Sequence, residues 1–151
     1  MDIYVASSWR NEQQPKVVSA LRNAGHEVYD FRHAGPCNQG FHWSEIDASW
    51  KDWTPWQFAH ALDHPLARDG FERDKTAIEE SDAIVLVMPC GRSAHLELGY
   101  AIGLGKRSAI LLADGEPELM YRAADELCCS LAQLLAWAEQ TTEELGDDSP
   151  I

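Results

Sequence analysis

The sequence predicts a doubly wound α/β fold, in which a mostly parallel five-stranded sheet is flanked by helices. Apolar runs rich in β-branched residues alternate along the chain with segments of helical periodicity, which is the order of elements in such folds. One run, DAIVLVM at 82–88, is apolar almost throughout, as expected for a central strand covered by helices on both faces. We therefore expect one domain over residues 1–145 and a short flexible tail at 146–151.

The first elements are a strand, a helix and a second strand. Residues 2–6 (DIYVA) are rich in strand formers, and residues 26–31 (HEVYDF) alternate in the manner of a second strand. Between them the side chains that recur at helical spacing are Val17, Val18, Leu21 and Ala24, and Gly25 ends the helix. A βαβ unit of this kind implies a parallel pair joined by a right-handed crossover.

The next segment interrupts this alternation. Residues 32–53 follow no simple period and are rich in aromatic side chains, so we expect a long functional loop. A short helix then begins after Thr54, because the sequence TPWQ combines a capping residue with proline at the first helical position. We expect this helix to stop at Pro65 and a second helix to occupy about 66–80.

The second half of the chain completes the sheet. After the central strand we expect a helix at about 93–104 that Gly105 ends, a strand at 107–112, a short strand at 126–129 and a helix at about 130–144. Five strands separated in this way place the fold in the Rossmann- or flavodoxin-like class. In such sheets ligands bind at the carboxyl ends of the strands, near the switch in strand order.

The chain is strongly acidic. Its 151 residues include 25 Asp and Glu against 12 Lys and Arg, for a formal net charge of −13 at pH 7. DNA or RNA would be repelled by this average field, so we expect no polymeric nucleic acid as partner. No apolar segment reaches the roughly 20 residues that span a bilayer, and no basic signal-peptide region opens the chain. We therefore expect no membrane association, a cytoplasmic location and a small-molecule substrate.

The four cysteines form no CxxC pair. They are Cys37, Cys90, Cys128 and Cys129, and the two adjacent residues are poor partners for an ordinary disulfide. We expect reduced thiols with packing roles. The sequence predicts no zinc or other metal site and no cofactor.

One turn combines residues that favour an anion. The segments expected to leave the carboxyl ends of the strands are Ala6-Ser7-Ser8-Trp9, the loop after Phe31, and the turn 89–93. The last places Gly91, Arg92 and Ser93 at a helix N-terminus, where free N–H groups and the helix dipole attract negative charge. Glu97 follows Ser93 by four residues, so both side chains share one helix face.

Two carboxylates are the candidate catalytic groups. Glu97 lies in an otherwise apolar helix directly after the central strand, which fits a nucleophile or base held on a rigid element. Asp74 is the natural second carboxylate, because its helix leads into the same strand. The structural alternatives are a solvated or capping role for Glu97, and an exposed charged face for the sequence RDK around Asp74.

These residues carry a family resemblance. The strand and helix DAIVLVMPCGRS-AHLELGYAIGLGK, with FERDKTAIEESD before them and IYVASSW near the start, resemble the nucleoside 2-deoxyribosyltransferase family, including its nucleoside 5′-monophosphate N-glycosidase branch. The resemblance extends from about residue 2 to residue 130. Its most specific part is the helix SAHLELGYA, which matches the glutamate-bearing helix of the family.

The resemblance implies an enzyme that cleaves the N-glycosidic bond of a nucleoside or nucleoside 5′-monophosphate, by hydrolysis or transfer. Glu97 matches the nucleophile that forms a glycosyl-enzyme ester, and Asp74 matches the carboxylate that holds the sugar hydroxyls and assists protonation of the base. The residues matching the loop over the sugar are Ala6, Ser7 and Ser8, and those matching the turn at its 5′ side are Gly91 and Ser93. Two carboxylates around a glycosidic bond suit an oxocarbenium-like transition state.

The resemblance also implies a homodimer or larger homo-oligomer, in which a neighbouring subunit completes the pocket. The candidate interface residues are the exposed tryptophans and Tyr121-Arg122.

Two departures from the family pattern bear on the substrate. The classical transferases usually have an acidic residue six positions before the nucleophile, and here that position is Gly91. With Arg92 and Ser93 beside it, the turn suits a 5′-phosphate better than a free hydroxyl, which favours the hydrolase branch. The first loop reads SSWRN rather than the family's Gly-Pro form, and Arg10 within it is a second candidate phosphate ligand.

The aromatic loop is the chain's own feature. It contains Trp43, Trp50, Trp53 and Trp56. Stacking of a base on tryptophan is worth roughly 1–3 kcal/mol, so this loop could cover the leaving base, and Trp43 is the preferred base contact. The alternative is that these rings pack an interface or the sheet edge. His42 or His95 could shuttle protons near neutral pH, or be hydrogen-bonded structural residues.

Two other classes of function remain open from the sequence. TIR-type domains also place a glutamate on a helix after a parallel strand, so an NAD-cleaving glycohydrolase is one alternative. A nucleotide-binding module without catalytic activity is the other.

Overall fold

A computed structural model describes residues 1–34 and 39–147. Its sheet has the order β2-β1-β3-β4-β5. The strands are β1 (Asp2–Ala6), β2 (Glu27–Asp30), β3 (Ala83–Val87), β4 (Arg107–Leu111) and β5 (Glu126–Cys128), and the helices are α1 (Gln14–Asn23), α2 (Pro55–Ala61), α3 (Pro65–Glu80), α4 (Arg92–Gly103) and α5 (Leu131–Asp147). Every strand pair is parallel. The predicted doubly wound α/β class is confirmed.

Helices cover both faces of the sheet, and each face has its own apolar core. Helices α1 and α5 pack on one face, where Leu21 and Leu134 meet Val85 of the central strand. Helices α3 and α4 pack on the other face, where Ile78 and Leu98 meet Leu86. All five residues of β3 are buried, which explains why its sequence is apolar throughout rather than alternating.

The strand order creates the crevice. The chain passes from β1 to β2 on one side and later returns to place β3 on the other side of β1. The loops that leave β1 and β3 therefore diverge above neighbouring strands, which is where ligands bind in open parallel sheets.

Most element boundaries agree with the sequence, and a few differ. The capping box of α2 is present, since Thr54 Oγ1 accepts a hydrogen bond from the backbone N–H of Gln57. Pro65 does more than end the preceding segment, because it is the first residue of α3. Helix α5 continues to Asp147, past the predicted end at 144 and two residues into the expected tail. Residues 148–151 lie outside the described part of the chain.

The described cysteines are all free thiols, with Cys128 buried, Cys90 half-buried and Cys129 exposed, while Cys37 lies outside the described residues. Within 1–34 and 39–147, no group of three or more His, Cys, Asp or Glu side chains is placed to bind a metal ion. None of the helices in these ranges is long and apolar enough to cross a bilayer.

Candidate active site

A cleft of about 600 Å³ opens at the carboxyl ends of β1 and β3. All the predicted site residues except Ala6 line it, namely Ser7, Ser8, Trp9, Arg10, Phe31, Trp43, Asp74, Gly91, Arg92, Ser93 and Glu97. Ala6 is fully buried in the core beneath, so its side chain supports the cleft without facing it. A groove of about 640 Å³ near the start of β1 contains none of the predicted residues.

Glu97 is held in an environment that disfavours its charge. Burial raises the pKa of this carboxyl to about 7, and the negative charge of Asp74 adds to the rise. Burial also raises the pKa of Asp74, although the Tyr29 hydroxyl and the Arg73 guanidinium act in the opposite direction. Asp74 therefore lies close enough to influence the ionisation of Glu97.

Two stacked tyrosines lie beside this pair of carboxylates. Tyr4 of β1 and Tyr29 of β2 are partners in the sheet register, and their ring centroids are 5.1 Å apart with planes at 14°. The Tyr29 hydroxyl donates to Asp74 Oδ1 at 2.8 Å. The fully buried Tyr4 hydroxyl lowers the pKa of Glu97, although the contact falls outside hydrogen-bond geometry. The sequence signal for this arrangement was a tyrosine in each of the first two predicted strands.

The turn before α4 is open toward the cleft. Gly91 is the N-cap residue of α4, has an extended backbone and provides no side chain to cap the helix. A Cβ at this position would have no atom within 4 Å, so packing does not require the glycine. Glycine at position 91 instead leaves open space at the N-terminus of α4 and places no negative charge there.

Three arginines line the cleft without partners of their own. Within the described ranges, the side chains of Arg10, Arg73 and Arg92 have no ion pair or hydrogen bond, whereas Arg68 and Arg107 are paired with carboxylates. Unpaired guanidinium groups favour an anionic ligand. In a protein of net charge −13, this makes the cleft locally more positive than the rest of the surface.

Arg32 organises the loop after β1. Its Nη2 donates to the carbonyl oxygens of Ser8 at 3.0 Å, Trp9 at 2.7 Å and Asn11 at 2.9 Å. The buried Asn11 in turn donates through Nδ2 to the carbonyl oxygens of Val87 and Pro89, both at 3.1 Å. The carboxyl ends of β2, β1 and β3 are thereby joined. Sequence reasoning missed Arg32 and Asn11, because no local motif marks a contact to such distant carbonyls.

Trp9 forms one wall of the cleft. Its ring packs against His42, with centroids 4.6 Å apart, and against the edge of Phe31 at 5.3 Å. Gly40 has a φ of +78°, and a Cβ there would lie 2.4 Å from the Trp9 ring, so this position requires glycine. Gly40 and His42 of the aromatic loop therefore pack directly on the Trp9 ring.

Trp43 also lines the cleft and belongs to an aromatic cluster. Three rings meet it nearly edge-on, those of Phe41 at 4.8 Å, Phe58 at 5.6 Å and Trp53 at 5.7 Å between centroids. Trp50 also lines the cleft, but Trp53 and Trp56 do not. The four tryptophans therefore have different positions. Trp43 and Trp50 line the cleft, Trp53 packs against Trp43, and Trp56 is exposed beside His60.

The two candidate histidines have different positions. His42 lines the cleft against Trp9. His95 does not line it, and both its ring nitrogens have partners, the carbonyl oxygen of Gly91 and the hydroxyl of Tyr121.

The fold of this chain is similar to that of solved enzyme structures. No protein-family model matches the chain, and no curated protein matches it either. Among solved structures, a 2-deoxyribosyltransferase of Bacillus psychrosaccharolyticus is similar, with a TM-score of 0.60 and 20% identity over 89% of this chain and 90% of that chain. The CMP N-glycosidase BcmB of Clostridium botulinum gives a TM-score of 0.48 and 16% identity over 92% and 99%. The chain thus has the α/β fold of the 2-deoxyribosyltransferase.

Proposed function

We propose that the protein cleaves the N-glycosidic bond of a nucleoside or nucleoside 5′-monophosphate, by hydrolysis or transfer, as a member of the nucleoside 2-deoxyribosyltransferase family with residues 1–145 as the active domain. One observation carries this proposal: Glu97 and Asp74 lie together in the cleft, burial raises the pKa of both carboxyl groups, and the charge of Asp74 raises the pKa of Glu97 further. Carboxylates with perturbed pKa values in a cleft mark catalytic sites. The shared fold supports the same reaction.

The reaction proceeds by double displacement. The ionised Glu97 carboxylate attacks the anomeric carbon of the sugar and forms a glycosyl ester, while the C–N bond breaks and its electron pair leaves with the base nitrogen. The departing base takes up a proton, with assistance from Asp74. Water, or a second base, then attacks the same carbon and releases Glu97. The negative charge of the pair stabilises the oxocarbenium-like transition state in both steps.

The cleft provides a place for each part of the substrate. Ser7 and Ser8 of the β1 loop meet the sugar, and the rings of Trp9 and Trp43, which both line the cleft, contact the base. The turn at 91–93 meets the 5′ side of the sugar. A 5′-phosphate would there be bound by Arg92 and Arg10 and by the N–H groups of the first turn of α4.

The direct test is release of free base. The purified protein is incubated with a panel of nucleosides, their 5′-monophosphates and NAD, and the products are separated by chromatography. We expect free base from one or more nucleosides or monophosphates. Release of nicotinamide from NAD alone would favour the glycohydrolase alternative, and nucleotide binding without any turnover would favour a binding module.

Arg92 provides a test of the 5′ substituent. We expect Arg92→Gln to raise the KM for a 5′-monophosphate by about ten- to hundredfold, because a charge-assisted hydrogen bond is lost, and to leave the KM for the matching nucleoside nearly unchanged. Arg68→Gln is the matched control, since Arg68 is exposed and paired with Asp63 away from the cleft. Equal changes for both substrates would show that Arg92 does not bind the phosphate.

We further propose a homodimer or larger assembly in the cytoplasm, where unpaired thiols such as Cys90 and Cys128 persist. Helices α2, α3 and α4 each expose large apolar side chains, including Trp56 (74% exposed), Phe71 (63%) and Leu96 (75%). Light scattering during gel filtration at micromolar concentration is expected to give a multiple of the 16.9 kDa chain mass. A single species at 16.9 kDa would contradict the assembly.

A further inference from the structure

A hydrogen-bonded network lies behind the turn that leads into α4, on the side away from the cleft. It consists of Met88, Cys90, His95 and Tyr121, and we call it the His95 network. His95 Nδ1 lies 2.8 Å from the carbonyl oxygen of Gly91, and His95 Nε2 lies 2.8 Å from the Tyr121 hydroxyl. The two rings are stacked, with centroids 5.7 Å apart and planes at 17°. The network thus joins the β4–β5 connection to the turn at Gly91.

The hydrogen bonds fix the proton on His95. A backbone carbonyl only accepts, so Nδ1 carries the hydrogen that it shares with Gly91. In the neutral ring Nε2 is then the acceptor, and the Tyr121 hydroxyl donates to it. The Tyr121 hydroxyl also lies 3.3 Å from Met88 Sδ, a second acceptor.

The remaining side chains of the network, Cys90 and Met88, pack behind the turn. Burial, together with the charge of Glu97, raises the pKa of Cys90 to about 11, so this thiol stays protonated near neutral pH. Its Sγ lies 3.7 Å from His95 Nδ1 and 3.5 Å from Met88 Sδ, where it fills the space behind the turn. Because the His95 nitrogens face Gly91 and Tyr121 rather than the cleft, His95 does not reach the reacting atoms.

Gly91 itself contributes little to holding the turn. It has no side chain, no side chain caps the helix from this position, and the space around its Cα is open. The carbonyl bond from His95 is therefore the described side-chain contact that orients this peptide. The residues that follow immediately, Arg92 and Ser93, line the cleft.

We propose that His95 and Tyr121 are positioning residues for the 5′ side of the substrate. They hold the carbonyl of Gly91 away from the cleft, so that the peptide groups and side chains of the next two residues face the ligand. This inference rests on the proposed function, because it assigns the turn to the 5′ side of a nucleoside or nucleotide. If His95 and Tyr121 have this role, substitutions of either residue must weaken substrate binding by an amount that depends on the 5′ substituent.

The test compares two substrates that differ only at the 5′ position, a nucleoside 5′-monophosphate and the corresponding nucleoside. We expect His95→Ala to raise the KM for the monophosphate about tenfold, as for loss of one positioning hydrogen bond, with kcat changed less than about twofold. The KM for the nucleoside changes much less. His95→Asn, which keeps a donor near the position of Nδ1, restores most of the affinity. Tyr121→Phe, which keeps the stacked ring, gives a smaller rise of about threefold.

The controls separate this inference from the proposed function and from general damage. Glu139→Ala, at an exposed position on α5 on the opposite face of the sheet, is expected to leave both KM values unchanged. If the wild-type protein releases no base from any substrate, the proposed function fails. If the wild-type protein is active but His95→Ala lowers kcat equally for both substrates, or His95→Asn gives no rescue, the positioning role is wrong. Should His95→Ala fail to fold, an unchanged monophosphate KM in Tyr121→Phe would overturn the proposal.

Discussion

Glu97→Gln is expected to lower the rate of base release by about 10³-fold or more, because the amide cannot form the glycosyl ester. The substrate should still bind, since glutamine keeps the shape of the side chain. Chromatography of the released base measures the rate. Mass spectrometry of wild-type protein quenched in acid during turnover is expected to show one added sugar, and Glu97→Gln none. Glu80→Gln, at an exposed site on α3, is the control. Full activity in Glu97→Gln would exclude the mechanism.

The same variant is expected to be more stable than the wild type at high pH. The folded protein holds the Glu97 proton up to a pKa of about 7, against the ordinary value of 4.5 in the unfolded chain. The folded state therefore binds more protons between these values, and the wild-type free energy of unfolding falls as pH rises through them. Glutamine avoids this cost, which is on the order of 3 kcal/mol above pH 7. Denaturant unfolding should show the two proteins converging below pH 4.5. An equal difference in stability at every pH would contradict the assignment of the pKa.

Asp74→Asn is expected to lower kcat by about 10²-fold or more and to move the acid limb of the kcat/KM profile to lower pH. The loss of rate follows from removing a group that assists proton transfer. The shift follows from electrostatics, because the Asp74 charge raises the pKa of Glu97 and the nucleophile must be ionised. Burial is the larger cause of the raised pKa, so the limb should move only part of the way toward 4.5.

The measurement for Asp74 is a full pH profile of both kinetic parameters. Asp69→Asn provides the control, because Asp69 is an exposed carboxylate on the same helix. A lower rate with an unmoved acid limb would show that the two carboxylates are not coupled. An acid limb that moves to higher pH would show that Asp74 lowers the pKa of Glu97, which would contradict the proposed interaction.

The sequence was sufficient to predict the sheet and to select two carboxylates that lie in one cleft, for separate reasons. Strand β3 was recognisable because a strand covered on both faces must be apolar along its whole length, and all its residues are buried. Glu97 was recognisable because a charge in an apolar helix is unusual, and the family resemblance pointed to the same residue. The fold comparison supports the first prediction, while the role of Glu97 stays a prediction.

The residues that hold the site in place, Asn11 and Arg32, could not be predicted from the sequence, because their roles depend on contacts between distant residues. Asn11 reaches carbonyl groups 76 and 78 residues away, and Arg32 reaches back 21 to 24 residues. Neither residue type has a preferred partner that spacing could reveal. The placement of Ala6 was limited in the same way, since residues alternate in direction along a strand and only the packed structure shows which side chains face the cleft.

The pairing of β1 with β3 has a consequence for the order in which the site can form. Strands β1 and β2 pair across about 25 residues, and β3 and β4 across 24, but the register of Ile3 with Ala83 spans 80. Closing the longest loop costs the most chain entropy before its contacts stabilise anything. A folding chain that has formed only the two shorter pairings already contains α4, which carries Glu97, between β3 and β4. Helix α3, which carries Asp74, lies in the connection between the two pairs, so no cleft has formed. Completion of the sheet and acquisition of a substrate-binding surface are therefore a single event.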